Sequence, residues 1–166
     1  MVFKNLGSGD RGRSRLGKKF ISKTSTEIEA LGSLDELNSL LGLIRAQKIP
    51  KEFRNILLAV QKDLFIIQAS IANILFCDKA TVFKKEKIIE IENLIDSLSK
   101  KIGELNKFII PGENRSSAWL DYARAVTRRT ERRVLLVKKA DKNSIAYLNR
   151  LSSLLFVMAR FCVRKK

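Results

Sequence analysis

The sequence contains no histidine and only two cysteines, Cys77 and Cys162. Neither a zinc-ligand pattern nor a disulfide framework can be built from that set. So little cysteine suits a reducing compartment, and Cys162 falls on an apolar helical stripe, which predicts core packing for it. Proline is scarce as well, with two in 166 residues, and glycine numbers eight. So few chain breakers favour a mainly helical protein. Aromatics make up 7% of the chain and mostly fall on apolar stripes. No aromatic RNA-binding motif, helix-turn-helix or zinc finger stands out. No run of eighteen apolar residues occurs, so no transmembrane helix is expected. The N-terminus is basic but lacks the apolar core of a signal peptide. Its Arg and Ser content imitates an organellar transit peptide, although the motif inside it argues for a working segment. The expected location is cytoplasmic. Repeats, low-complexity tracts and linkers are missing too, so residues 1–166 read as one domain.

Acidic residues are the other shortage. Seventeen Asp and Glu face 33 Lys and Arg, which leaves a formal net charge of +16. Such a field draws anions. Nucleic acid is one class, because Lys and Arg release counterions from phosphates. Anionic nucleotides benefit from the same field. What the chain does have in quantity is apolar side chains, 45% of the total, enough for a sizeable core.

One stretch organises the rest, Lys107 to Val137. It opens with the apolar run Phe108-Ile109-Ile110. Pro111-Gly112 then predicts a turn, since Pro lacks an amide proton and Gly tolerates positive φ. Trp119, Ala123, Val126, Thr130, Val134 and Val137 recur at three- and four-residue steps, which predicts a helix over about 115–138. Arg124, Arg128 and Glu131 share another side of that helix. Six arginines lie between Arg115 and Arg133, against two acids, Asp121 and Glu131. The guanidinium fork suits phosphate oxygens, so the pattern points to a polyphosphate site. A solvated basic face or an ion-pair network is the plainer alternative.

Four further helices follow from periodicity. The first covers about 24–46, with Leu34, Leu37, Leu41 and Ile44 as its seam. Asp35, Asn38 and Arg45 fall on the neighbouring polar side. Thr24 with Glu27, and Ser33 with Glu36, are rival capping boxes for its start. The second covers 51–75, where Phe53, Leu57, Val60, Leu64, Ile67, Ile71 and Ile74 step in near-heptads. Ile88, Ile91, Leu94, Ile95, Leu98 and Ile102 predict a helix over 84–103, and Leu148, Leu151, Leu155, Met158 and Cys162 one over 143–164. Five helices with short connections predict an all-α, antiparallel five-helix bundle over residues 24–166. Residues 1–23 read as a loop. Gly7, Gly9, Gly12 and Gly17 put half of the eight glycines there. Such a loop brings backbone amides close to phosphate. It is not a Walker A loop, and a flexible basic tail is the alternative.

These stretches together resemble the PduO-type ATP:cob(I)alamin adenosyltransferases, or corrinoid adenosyltransferases. That family carries an F-I-L-P-G-type turn and a helix of pattern A-R-x-x-x-R-R-x-E-R-R, matched by Ala123 to Arg133. Its T-G-D-x-G-x-T/S loop aligns with Ser8-Gly9-Asp10-Arg11-Gly12-Arg13-Ser14. Glu29 to Asn38 resembles E-A-Y-G-T-x-D-E-L-N, Gln61 to Phe65 resembles a Q-x-D/E-L-F stretch, and Tyr147 to Ser152 matches Y-L-N-R-L-S. The chain departs in two places. Gly7 stands where the family has Lys or Arg, and Leu16 to Lys23 is one residue short.

The resemblance implies an enzyme that moves the 5′-deoxyadenosyl group of ATP to Co(I) of cobalamin and releases triphosphate. Cobalt is then the nucleophile, so a chain without histidine suffices. It implies ATP contacts at Ser8, Gly9, Asp10, Gly12, Ser14, Lys23, Arg124, Arg128, Arg129, Glu131, Arg132 and Asn149. Arg128 doubles as a catalytic and interface residue, paired with Asp35 across subunits of a homotrimer. Glu131 orients an arginine or acts through Mg2+, whose ligands stay open. Phe108 is implied at the lower face of the corrin; the alternative is that it anchors its apolar run in the bundle. A cobalamin reductase and a receiving mutase are the expected partners. The rival functions are an ATP or cobalamin sensor or carrier without turnover, and a basic nucleic-acid-binding bundle.

Overall fold

The computed structural model describes residues 7, 9–16, 19–75, 82–104 and 108–164. Five helices account for most of them: α1 (Thr26–Arg45), α2 (Lys51–Ile74), α3 (Glu86–Ile102), α4 (Arg115–Leu135) and α5 (Lys142–Arg164). Ahead of them lies a two-stranded antiparallel hairpin, β1 (Arg13–Leu16) and β2 (Lys19–Ser22), with Arg13 opposite Ser22 and Leu16 opposite Lys19. The loop expected over 1–23 is therefore partly a hairpin. Four-residue strands are too short for their alternation to show against so many charges and glycines.

Local chemistry sets the helix ends. Ser25 caps α1, its hydroxyl accepting from the Ile28 N–H at 3.3 Å. Neither rival capping box is used: the Thr24 hydroxyl meets Ser22 at 2.8 Å, and Ser33 is buried in mid-helix. Pro50, whose ring fixes φ, precedes α2. Asn114 caps α4 in a reciprocal box with Ser117, at 2.9 and 3.2 Å.

The helices close a ring in the order α1, α2, α3, α5, α4. Asn38 meets Gln61 across α1 and α2. Lys87 lies 3.7 Å from Asp63, and Lys101 lies 3.9 Å from Glu52, across α2 and α3. Glu92 meets Arg150 across α3 and α5, Glu131 meets Asn149 across α4 and α5, and Glu36 meets Arg129 across α1 and α4. A closed ring of five cannot alternate at every seam. Four seams are antiparallel, and α3 runs parallel to α5, as Phe83–Asn143 and Glu92–Arg150 contacts show.

The predicted stripes fill the interior. Leu34, Leu37, Leu41, Phe53, Leu57, Leu64, Ile67, Leu148, Leu151, Leu155 and Met158 are fully buried, and Cys162, Trp119 and Ile74 pack at the margin. Asn38 and Arg45 lie on the polar side of α1 beside the seam, and that side meets α2. Asn38 is buried, and Arg45 reaches in to donate to Gln61 Oε1 at 2.7 Å. Gln61 in turn donates to the Asn38 carbonyl at 2.9 Å, so the polar edge of α1 is consumed by α2. By length and composition α2 and α5 are each apolar enough to cross a membrane, despite the lack of an eighteen-residue apolar run. Here both place their stripes in the shared core.

Two polar contacts sit inside this core. Asp121 and Arg160 form a buried ion pair between α4 and α5. Asp63 accepts from the Tyr147 hydroxyl at 2.9 Å. Burial pushes the Asp63 carboxyl above its ordinary range, and burial beside that carboxylate pushes the Tyr147 phenol up as well. Asp63, Tyr147, Lys87 and Glu90 line a cleft of about 260 Å3 with apolar walls from Ile56, Val60 and Ile91.

Candidate functional site

The arginine helix is fixed before its arginines do anything. Its small and apolar residues Ala123, Val126, Thr127, Thr130 and Val134 are buried. Thr130 Oγ1 donates to the Ser33 carbonyl at 3.1 Å, which locks α4 against α1. With that side held, the charged residues divide between the two flanking grooves.

Toward α1, Arg129 Nη2 meets Glu36 Oε1 at 2.5 Å, and Arg133 Nη2 lies 3.4 Å from Glu29. The resemblance assigns Arg129 to ATP, whereas this protomer pairs it with an acid of α1. Toward α5, Asn149 Nδ2 donates to Glu131 Oε1 at 3.0 Å. Two residues expected at ATP thus meet across two helices. Between the grooves Arg128 and Arg132 are exposed, and Arg132 Nη1 donates to the Arg128 carbonyl at 3.1 Å. Arg129, Arg132, Arg133 and Leu136 line a concavity of about 320 Å3. A turn earlier, the Arg124 guanidinium lies 5.8 Å from the centre of the Phe156 ring, and its buried Nε has no partner among the described residues. Arg160 lies over the same ring at 5.4 Å.

The N-terminal segment gathers a second set. Gly9 accepts from the Gly12 N–H at 3.2 Å, and the Gly12 carbonyl accepts from Lys23 N at 2.9 Å. A Cβ on Gly9 would lie 3.1 Å from Lys23 Nζ, so glycine there makes room for the ammonium. Asp10 N donates to the Gly7 carbonyl at 3.2 Å. Ser14 sits in β1, half-buried, opposite Ile21. Ser8 lies outside the described residues. Gly9, Gly12 and Lys23 are therefore together. Lys19 Nζ ties the hairpin to the end of α2 through the Leu75 carbonyl at 2.9 Å. No extensive contact joins the strands to α4 among the described residues.

Phe108 stands by itself. Its side chain is fully exposed, at 106% of the reference area, and Ile110 is 82% exposed. The alternative that Phe108 anchors the run in the core does not hold. Gly112, at φ 111°, makes the turn that follows in a region other residues avoid. Asp35 is exposed and accepts from Gln68 Nε2 at 3.4 Å. No ion pair joins Asp35 to Arg128 within the protomer among the described residues. No group of three or more carboxylates and thiols suited to a metal ion occurs among them either.

Sequence reasoning took Glu36 for a capping residue and not for a partner of Arg129, and it did not single out Glu92, Arg150, Phe156 or the Asp121–Arg160 pair. Each makes a contact with a residue of another helix, and spacing within one helix carries no such information.

The fold and this groove system define a five-helix bundle with a basic, concave face on α4. The chain belongs to the cobalamin adenosyltransferase family, whose model matches residues 5–162. It is 38% identical to the corrinoid adenosyltransferase of Citrobacter freundii over 162 residues, covering 92% of this chain and 90% of that protein. It is 35% identical to the corrinoid adenosyltransferase of Bacillus subtilis, over 92% of this chain and 82% of that one. A variant PduO-type ATP:corrinoid adenosyltransferase from Lactobacillus reuteri, complexed with cobalamin and ATP, superposes with a TM-score of 0.85. It is 28% identical and covers 96% of this chain and 90% of its own.

Proposed function

We propose that the protein is an ATP-dependent corrinoid adenosyltransferase that makes adenosylcobalamin from ATP and Co(I) cobalamin. The observation that carries this reading is the Glu131–Asn149 contact at 3.0 Å beside exposed Arg128 and Arg132. Four residues of the expected ATP set share one groove edge. In the reaction, the Co(I) electron pair forms a bond to the 5′ carbon of ATP. The C5′–O bond breaks, and its pair leaves with triphosphate. No proton needs to move, so no histidine is missed.

The residues then divide the work. Arg128 and Arg132 hold the triphosphate and take up the charge that develops on it as it leaves. Arg124, stiffened over Phe156, supports that face from one turn back. Asn149 and Glu131 orient the nucleotide. The loop of Gly9, Asp10, Gly12 and Ser14 with Lys23 covers the phosphates from another copy of the chain. Phe108 meets the lower face of the corrin, where an apolar ring in place of a donor favours the lower oxidation state. Mg2+ fits as an ion carried mainly by phosphate oxygens, because no three-ligand cluster exists among the described residues. Glu131 is the acid on the basic face that would share in holding it.

The same reading makes the working unit a homotrimer, joined by Asp35 and Arg128 of adjacent protomers, and places it in the cytoplasm with a reductase upstream and a mutase downstream. The test is direct. Purified protein is mixed anaerobically with MgATP and Co(I) cobalamin. Formation of adenosylcobalamin with an equivalent of triphosphate is expected. ATP binding without turnover would point to a sensor or carrier, and retention of nucleic acid with no ATP binding to the basic-bundle alternative.

A further inference from the structure

Adjacent residues on a helix point about 100° apart and do not normally face each other. Asn149 and Arg150 break that habit. Arg150 Nη1 donates to Asn149 Oδ1 at 2.9 Å. The bend has a visible cause on another helix, since Arg150 Nε donates to Glu92 Oε1 of α3 at 2.8 Å. The Asn149 amide nitrogen, meanwhile, donates to Glu131 Oε1 of α4 at 3.0 Å. A chain of hydrogen bonds therefore runs Glu92, Arg150, Asn149, Glu131, across α3, α5 and α4.

The chemistry of its ends fixes the sense of the amide in the middle. A guanidinium only donates, and an ionised carboxylate only accepts. The amide oxygen must face Arg150 and the amide nitrogen must face Glu131. Asn149 keeps one N–H and one oxygen lone pair for a ligand.

We propose that Glu92 and Arg150 are positioning residues for ATP. They hold the Asn149 amide in the one orientation that presents its remaining N–H to the nucleotide. The inference rests on the adenosyltransferase reading only in taking Asn149 to touch ATP. Both residues act through Asn149 and need no contact with the ligand. The Arg150 and Glu92 side chains are 42% and 44% exposed, so changing them removes little core.

The experiment is a double-mutant cycle read by calorimetric titration of the full-length protein with MgATP. Asn149→Ala and Arg150→Ala should each weaken ATP binding by about tenfold. The double variant should bind no worse than Asn149→Ala alone, because Arg150 has nothing left to position. Glu92→Gln, which keeps an acceptor oxygen, should stay near wild type, while Glu92→Ala should lose severalfold. Multiplicative losses in the double variant would overturn the proposal, and so would equal losses for Glu92→Gln and Glu92→Ala. Should Arg150→Ala fail to fold, Glu92→Ala replaces it in the same cycle. A wild type that binds ATP and shows the coupling, yet never adenosylates cobalamin, would sink the functional reading alone. Wild-type adenosylation without coupling would sink this one alone, and failure of the wild type to bind ATP would sink both.

Discussion

Phe108 and Arg128 share a property: each is exposed, and neither is needed by the core. Their substitution therefore reads function with little interference from folding, since surface changes shift stability by about 0.5 kcal/mol or less. Phe108→Ala should leave ATP affinity and thermal unfolding near wild type while lowering adenosylation by roughly tenfold or more, through the corrin side alone. It should also reduce the four-coordinate Co(II) signal seen by spectroscopy. A variant with that signal and full turnover would remove Phe108 from the site. Arg128→Ala attacks the other substrate. Losing a charge-assisted hydrogen bond to phosphate is worth about 1.5–3 kcal/mol, or about ten- to a hundredfold in ATP affinity or kcat/KM. Arg129→Ala should cost much less if the Glu36 pair holds when ATP is bound, because half-exposed pairs contribute little. Equal losses for the two would show that Arg129 leaves Glu36 for the phosphates.

Among the elements, α4 and α5 carry the most demanding contact. The Asp121–Arg160 pair is nearly solvent-free, with Arg160 also over Phe156. Removing one partner strands a buried charge, and Asp121→Ala should destabilise by about 3–5 kcal/mol in urea unfolding. A cost below about 1 kcal/mol would mean that water reaches the orphaned guanidinium. Asp63 offers a test with a sign. Burial raises its folded-state pKa above the ordinary 3.8, so the folded protein holds that proton to higher pH than the unfolded chain. Stability from this site then falls as pH rises from 3.8 through the raised value, and is level above it. Lys87, raised chiefly by its hydrogen bond to Glu90, loses its contribution only above 10.5 and leaves the acid window to Asp63. The stability of Asp63→Asn relative to wild type should thus improve as pH climbs out of the acid range. A difference that stays flat with pH would show that the carboxyl titrates alike in both states. These elements also show what the sequence could tell. The Leu34-Leu37-Leu41-Ile44 seam and the Arg124-to-Arg133 face were legible because both follow from helical geometry. Ser25 as cap, the hairpin, and the inward turn of Arg45 were not. Each depends on which neighbour arrives, and a one-dimensional pattern does not contain that. The place of Phe108 was open for the same reason: an apolar run beside a turn is equally consistent with a core anchor and with an exposed ring.

At the scale of the molecule, the two halves of the expected ATP site are the puzzle. Gly9, Gly12 and Lys23 form one group, the α4 arginines another, and no extensive contact joins the strands to α4 in the protomer among the described residues. Asp35 likewise has only Gln68 as a described partner, not Arg128. Exposed Phe65, Ile66, Leu58 and Leu43 leave apolar area on α1 and α2 for a second copy to cover. The proposed cyclic trimer would resolve all three, because each copy would lend its loop to the next in one repeated, closed contact. The consequence is complementation. Lys23→Ala damages only the loop half of a site, and Arg128→Ala only the helix half. Each homotrimer should be nearly inactive. Randomly assembled from equal amounts of both, about one junction in four would join an intact loop to an intact α4, restoring roughly a quarter of wild-type activity. The measurement is turnover after co-refolding, with light scattering to show that trimers reform. If both halves belong to one protomer, mixing restores nothing. If the protein is a monomer at micromolar concentration, the site must close within a single chain, and the loop would have to move onto α4 when ATP binds.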